Sequence, residues 1–149
     1  ADRETVSRAQ RANAFAKSLK RPVVVPPDLA DEVEEQLVRR LAGALSIANK
    51  AGLVMFGFDK IDAGLGSGRI AVLVHGADAA EGGREKLDRK HRAVAEAAGR
   101  GATVVDLLTI DQISLAFGRT NVVHAGLTRG GATDKVVGEA GRLKRYRCA

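Results

Sequence analysis

The apolar run Ile70-Ala-Val-Leu-Val74 is the feature that most restricts what this chain can fold into. A strand whose side chains are apolar on both faces is stable only in a sheet that is covered on both sides. A basic amphipathic helix is predicted next, over residues 82–99, and a second strand over residues 103–107. Helical and strand patterns continue to alternate toward the C-terminus. This alternation predicts an α/β fold, with a sheet that carries helices on both faces.

A long helix is predicted over residues 28–51, ahead of this unit. Asp28 is a suitable N-cap, apolar side chains from Leu29 to Ala48 recur at near-helical spacing, and Gly52 would end the helix. This helix would link an N-terminal appendage to the main domain. The other predicted elements are a short strand at Leu53–Phe56, a helix that Gly57 opens and Gly68 ends, a helix from the Thr109–Gln112 capping box to Gly118, a strand from Val122 and a helix over residues 132–147.

Residues 1–27 are predicted to form a small separate unit. Residues 4–19 have a helical pattern with basic side chains. Pro22 and Pro26 enclose an edge strand or a linker, because proline cannot donate to a sheet ladder. We place a domain boundary here, with domains at residues 1–27 and 28–149. The chain lacks an initial Met, which indicates a piece of a longer protein.

The charge of the chain favours a polyanionic partner. Lys and Arg number 24 against 18 Asp and Glu, and the net charge is +6. Residues 1–21 and 142–147 are mainly basic, whereas residues 28–35 carry five acidic side chains and no basic one. Nucleic acid is the usual partner of such a basic chain. Basic tails that only increase solubility are the alternative.

No catalytic, cofactor or metal site is predicted. Cys148 is the single cysteine, and the sequence has no H-E-x-x-H, G-x-S-x-G or Walker pattern. The glycine-rich stretch at 64–68 lacks the dinucleotide-binding spacing and precedes a strand, so it predicts a turn. His75, His91 and His124 are expected to be structural. No apolar run is long enough to cross a bilayer, and we expect a cytoplasmic protein with no membrane partner.

The segment Gly57-Phe-Asp-Lys60 is the best candidate for a binding site. It follows a short strand and opens a helix, and the free N–H groups of a helix start attract phosphate oxygens. Lys60 would add a positive charge. The basic helix at 82–99 is a second candidate, but a solvated amphipathic face also explains its charges.

Several segments match a known family in order and spacing. They are Ala48-Asn-Lys50-Ala-Gly52, Gly57-Phe-Asp-Lys60-Ile61, Ser67-Gly68-Arg-Ile-Ala71, the strand to Val74, Ala77-Asp78-Ala79 and Ile113-Ser-Leu-Ala-Phe-Gly118. Through them, residues 41–147 resemble the kink-turn-binding ribosomal protein superfamily (L-seven-Ae and L-thirty-e), and most closely its bacterial YlxQ branch. Through Ala14-Phe-Ala-Lys17 and Pro26-Pro-Asp-Leu29, residues 1–40 resemble the C-terminal part of a YlxR domain.

The resemblance implies a three-layer α/β/α sandwich around a central four-stranded mixed sheet, with a small N-terminal helical appendage. It also implies RNA binding through the helix that begins at Gly57 and the loop that follows Gly118. The RNA-contacting positions of the family correspond here to Gly57, Phe58, Asp59, Lys60, Arg119, Thr120 and Asn121.

The chain departs from the ribosomal members of this superfamily at the helix start. Those members carry Gly-x-Asn-Glu and then a Lys three residues later, where this chain has Asp59, Lys60 and Ala63. An ionised Asp59 only accepts hydrogen bonds, whereas an Asn also donates them. The substitutions favour binding to the RNA backbone over base-specific recognition of a kink-turn.

We therefore predict a non-enzymatic RNA-binding protein that is associated with the ribosome or with translation-related RNA. Lys50, Lys60, Arg69 and Arg119 would hold phosphates, and the attraction would weaken as salt rises.

Two alternatives stay open at this point. One is an accessory domain of an RNA-modifying enzyme, which a deep pocket lined by His75 and Asp78 would favour. The other is a protein-interaction module, in which the helix at 28–51 docks a partner through an exposed apolar stripe.

Overall fold

The computed structural model of the protein describes residues 29–148. This part contains five α-helices and four β-strands in alternation, and none of these helices is long and apolar enough to cross a membrane. The predictions for residues 1–27, including the helix at 4–19 and the domain boundary, lie outside the described residues. The helices are α1 (Leu29–Lys50), α2 (Phe58–Gly66), α3 (Glu81–Ala97), α4 (Ile110–Phe117) and α5 (Gly131–Arg147). The strands are β1 (Val54–Phe56), β2 (Ile70–His75), β3 (Thr103–Val105) and β4 (His124–Thr128).

The four strands form one mixed sheet in the order β1-β4-β2-β3. β4 pairs antiparallel with β1 and with β2, and β2 pairs parallel with β3. Gly126 of β4 lies opposite Met55 on one side and Leu73 on the other. The edge strands are therefore β1 and β3. The predicted α/β fold with a central four-stranded mixed sheet is confirmed.

Helices cover both faces of the sheet, because successive side chains of a strand point to opposite faces. Val72 and Val74 belong to the core that the sheet forms with α1, α4 and α5, whereas Leu73 belongs to the core on the side of α2 and α3. An irregularity in the β2–β4 register between Ile70 and Val72 places Ile70 in the same core as Leu73. The apolar run of β2 is thus buried on both sides, and the three layers are those predicted.

Four helices end on the same glycine motif. A glycine with φ between +64° and +75° follows the last turn of α1, α2, α3 and α4, and this left-handed conformation costs glycine little. The amide of the next residue then donates to a carbonyl five positions earlier, as Arg69 does to Gly64 at 3.0 Å. The motif thus fixes the direction in which the backbone leaves each of these helices. The glycines are Gly52, Gly68, Gly99 and Gly118.

Two strand boundaries differ from the prediction by two residues. β4 begins at His124 rather than at Val122, because the Val122 amide donates to the hydroxyl of Ser114 at 2.8 Å instead of to a strand. β3 ends at Val105 rather than at Leu107. Both strands are shorter than their apolar patterns, since the pattern reports burial and not strand pairing.

Candidate nucleic-acid interface

The first turn of α2 presents backbone N–H groups at one end of the sheet. Gly57 connects β1 to α2 with φ of 90°, and no side chain caps the helix. The first intrahelical hydrogen bond runs from the Ile61 amide to the Gly57 carbonyl at 3.0 Å. The amides of residues 58–60 therefore have no acceptor within the helix. Together with the positive end of the helix dipole, they suit an anionic oxygen.

The loop that follows α4 is shaped by Ser114. Its hydroxyl donates to the Ile110 carbonyl at 2.6 Å and accepts from the Val122 amide at 2.8 Å. Asn121 has φ of 52°, a conformation that Asn adopts more readily than most residues. These constraints hold the exposed residues 119–121 beside the start of α2.

Arg119 lies over the ring of Phe56 at the centre of this surface. Its guanidinium carbon is 4.0 Å from the ring centroid, a cation–π contact that orients the guanidinium. The Phe56 ring in turn packs edge-on against Phe117 with centroids 5.1 Å apart. Within residues 29–148, Arg119 forms no ion pair, so its N–H groups are available to a phosphate.

Two open cavities adjoin Arg119. One of about 670 Å³ lies between β1 and α2, and its lining includes the apolar residues Val54 and Met55. The other, of about 240 Å³, lies between the start of α2 and the loop after α4. Phe56 and Arg119 line both cavities, so the two form one continuous surface.

The structure brings seven of the nine predicted binding residues to these cavities. The two that line neither cavity are Asp59 and Lys50, and both are exposed. The neighbour of Lys50, Asn49, donates through its side chain to the Phe117 carbonyl at 3.3 Å, which ties the end of α1 to the end of α4. The larger cavity is lined by Lys60, Arg69 and Arg119, and the smaller by Gly57, Phe58, Arg119, Thr120 and Asn121.

Phe58 contributes packing to this surface as well. Its ring lies edge-on to His124 with centroids 6.4 Å apart, and the Lys86 ammonium is 5.5 Å from its centroid. These contacts attach the start of α2 to β4 and α3. The ring is therefore committed to the fold and is not a free platform for base stacking.

A hydrogen-bonded chain of Asp88, His75 and His124 lies behind the smaller cavity. His75 is fully buried, with Nε2 2.7 Å from Asp88 Oδ1 and Nδ1 2.7 Å from His124 Nδ1. Burial, with smaller contributions from the neighbouring His75 and Arg84, lowers the pKa of His124 to about 4. The sequence analysis predicted separate structural histidines and did not predict this hydrogen-bond network. The only local signal is that His75 ends one strand and His124 begins another.

The remaining candidates are engaged in the fold. The Asp78 carboxylate accepts from the Ile110 amide at 2.8 Å at the start of α4, and His91 hydrogen bonds to the Thr103 carbonyl at 3.0 Å. Each of these two side chains thus fixes one element of the fold. Among the residues that the structure describes, no group of His, Cys, Asp and Glu could hold a metal ion.

Ion pairs neutralise several of the basic side chains of helix α3. Arg84 pairs with Asp106, Arg89 with Glu85, and Lys90 with Asp62. These pairs support a solvated amphipathic face rather than a surface that awaits an anion. The basic residues at 82–99 therefore indicate an anion-binding site less strongly than the unpaired cations beside α2 do.

The fold and the site together define a class: α/β/α sandwiches with a cationic surface at one end of a mixed sheet. No protein-family model matches the sequence, and no curated protein is significantly similar to it. A solved structure of a protein of unknown function from Bacillus halodurans has a TM-score of 0.57 at 18% identity, over 68% of this chain and 97% of that one. A 15.5 kD RNA-binding protein of Giardia lamblia has a TM-score of 0.54 at 14% identity, over 73% of this chain and 88% of that one. At these identities the comparison shows a shared fold.

Proposed function

We propose that this protein is a non-enzymatic, cytoplasmic RNA-binding protein that acts on ribosomal or other translation-related RNA. The observation that carries the proposal is the convergence of Lys60, Arg69 and Arg119 on one cavity beside the first turn of α2. None of these three side chains is ion-paired with a residue between 29 and 148. Unpaired cations around an open cavity fit an anionic ligand, and the fold shared with the RNA-binding protein of Giardia lamblia supports RNA as that ligand.

The chemistry of the surface suits an RNA backbone. Guanidinium groups bind phosphate oxygens through paired N–H donors, and the Lys60 ammonium adds a point charge. The amides of residues 58–60 can donate to a phosphate from the end of α2. Val54 and Met55 add apolar lining that can contact a base or a ribose next to the phosphate. Binding of this kind is driven by counterion release and weakens as salt rises.

We propose backbone binding in preference to specific kink-turn recognition. Asp59 is exposed at the start of α2 and lines neither cavity, and Ala63 lines the larger cavity without offering a polar atom. The Asn and Lys side chains that donate hydrogen bonds in the ribosomal members are therefore replaced here by the carboxylate of Asp59 and the methyl group of Ala63. Membership of the YlxQ branch, and the YlxR origin of residues 1–27, belong to this proposal.

The protein-interaction alternative has less support. The apolar stripe of α1 continues into the core, where Leu41 and Leu45 are fully buried. Its first part, around Leu29, Val33 and Leu37, lines a groove on the outside of the domain. The accessory-domain alternative predicts the same RNA surface, and a cofactor that copurifies with the protein would distinguish it.

The test is binding of the chain to a kink-turn RNA and to a plain duplex RNA, at low and at moderate salt. Wild type, Lys60→Glu and a control, Lys135→Glu, are compared. Lys135 is exposed on α5, in the layer on the other side of the sheet, so the control matches the change in charge without touching the site.

We expect wild type to bind both RNAs at low salt and to lose affinity steeply with salt. Lys60→Glu should weaken binding at least about tenfold more than the control, because it reverses one charge at the phosphate site. A clear preference for the kink-turn would replace backbone binding with ribosomal-type recognition. No binding to either RNA at low salt would overturn the proposed function, and equal effects of the two substitutions would overturn the placement of the site.

A further inference from the structure

The sheet topology brings three arginines together at the end of α2 that is opposite Gly57. Arg69 directly precedes β2, Arg129 directly follows β4, and Arg100 lies three residues before the start of β3. β4 runs antiparallel to β2, and β3 runs parallel to β2. The start of β2, the start of β3 and the end of β4 therefore lie at the same end of the sheet.

Two of these arginines bind a single carbonyl oxygen. Arg100 Nη2 donates to the Gly68 carbonyl at 3.4 Å, and Arg129 Nη1 donates to the same oxygen at 3.2 Å. Gly68 is the left-handed residue that ends α2, and Arg69 follows it in the chain. The guanidinium groups of Arg100 and Arg129 are thus held at one oxygen, and Arg69 is the residue that follows that carbonyl in the chain.

Nothing in the described part of the chain balances these three charges. Arg69, Arg100 and Arg129 form no ion pair with any residue between 29 and 148. Asp62, within α2, is paired with Lys90 at 3.1 Å. The negative end of the α2 dipole favours a cation here, and one arginine is enough to satisfy the Gly68 carbonyl. A second guanidinium on the same oxygen adds repulsion, and each group keeps four of its five N–H donors free of that oxygen.

We propose that Arg69, Arg100 and Arg129 form a second phosphate-binding subsite, which takes another phosphate of the same RNA strand. The inference rests on the proposed function and extends it. Arg69 also lines the larger cavity with Lys60 and Arg119, so the two subsites are continuous. The nine residues of α2 separate its two ends by about 14 Å. The RNA strand would therefore run along α2, from the first turn of the helix to the arginines after its last turn.

The test measures binding of a single-stranded RNA of about 12 nucleotides, within the usual range of single-strand sites, over a salt series. Wild type, Lys60→Glu, the double variant Arg100→Gln/Arg129→Gln and a control double variant, Lys135→Gln/Lys144→Gln, are compared. Both control lysines are exposed on α5 and remove the same net charge from the other layer. Thermal unfolding of each variant checks the fold. Chemical-shift changes of the Gly68 and Arg69 amides, on titration of the RNA into wild type, test the subsite without any substitution.

We expect the arginine double variant to bind roughly tenfold more weakly than the control and to lower the salt slope by about 1.4, which corresponds to two phosphate contacts on a single strand. The Gly68 and Arg69 amides should shift on titration. If wild type binds and Lys60→Glu weakens it, but the arginine variant equals the control and the two amides do not shift, the second subsite is wrong and the proposed function stands. If wild type does not bind, both proposals fail together.

Discussion

The Nδ1 atoms of His75 and His124 lie 2.7 Å apart, at the point where β2 and β4 pair. One of the two nitrogens must carry the proton and the other must accept it. The Asp88 carboxylate accepts from Nε2 of His75, which connects the two rings to α3. The hydrogen bond between the rings requires that one of the two Nδ1 atoms carries no proton, and protonation of both atoms breaks it.

The first prediction is that the free energy of unfolding decreases as the pH falls from about 6.5 toward 4. Burial lowers the pKa of His124 from 6.5 to about 4, so in this window the unfolded chain binds a proton that the folded chain does not. Stability is therefore retained above the unfolded pKa and lost as the pH falls, at about 1.4 kcal/mol per pH unit and on the order of 3 kcal/mol in all. Burial also lowers the pKa of His91, which acts in the same direction.

Urea unfolding of wild type and His124→Asn at several pH values measures this effect. Asn can place an amide donor toward His75 but does not titrate. The wild-type free energy should fall more steeply than that of the variant by about 1.4 kcal/mol per pH unit between 6.5 and 4.5. Parallel curves would show that His124 does not carry the dependence.

A second prediction concerns Gly126, which lies under the side chain of Ile70. A Cβ at Gly126 would be 2.5 Å from Ile70 Cδ1 and 3.2 Å from Ile70 Cγ1. Gly126→Ala should therefore destabilise the protein by about 1–3 kcal/mol through overpacking. Gly138→Ala is the matched control, since nothing lies within 4 Å of its Cβ position on α5. Alanine should stabilise that helix by up to about 1 kcal/mol, and denaturant midpoints that move in the same direction for both would contradict the packing argument.

A third prediction concerns the single tyrosine of the chain. Tyr146 of α5 is fully buried, and its hydroxyl donates to the Ala30 carbonyl of α1 at 2.6 Å. Tyr146→Phe removes this link between two helices of one layer and leaves a buried carbonyl with one partner fewer, which should cost about 1–2 kcal/mol. Equilibrium urea unfolding followed by far-UV circular dichroism measures it. An unchanged midpoint would mean that the Ala30 carbonyl is satisfied without the tyrosine.

Features that depend on local chemistry were predictable from the sequence. The Thr109–Gln112 capping box forms. The backbone N–H of Gln112 donates to Thr109 Oγ1 at 3.2 Å, and the backbone N–H of Thr109 donates to Gln112 Oε1 at 2.9 Å. Gly52 and Gly118 end their helices in the left-handed conformation. Each of these motifs involves residues within one turn, so the pattern of residue types is sufficient to indicate it.

Features that depend on which strands are neighbours were not predictable in this way. β4 lies between β1 and β2, and the hydrophobic periodicity of the sequence does not determine this strand order. The hydrogen-bond network of Asp88, His75 and His124 exists only because β4 and β2 are neighbours. The same holds for Arg100 and Arg129, which reach the same carbonyl from positions far apart in sequence. The resemblance to a known family indicated the helix at Gly57 and the loop after Gly118, but not how the arginines at the other end of α2 are arranged.

The last prediction is that Ser114 acts on RNA binding as a positioning residue. Its hydroxyl joins the Ile110 carbonyl to the Val122 amide across the loop that carries Arg119. Ser114→Ala leaves both partners in place but removes the link, so the loop should sample other conformations and Arg119 should leave the ring of Phe56 part of the time. RNA affinity should fall severalfold while the salt slope stays unchanged, because no phosphate contact is deleted. Arg119→Gln, by contrast, should lower both the affinity and the slope, the slope by about 0.7 to 0.9. Binding isotherms over a salt series separate the two effects, and a reduced slope in Ser114→Ala would mean that the serine itself contacts the RNA.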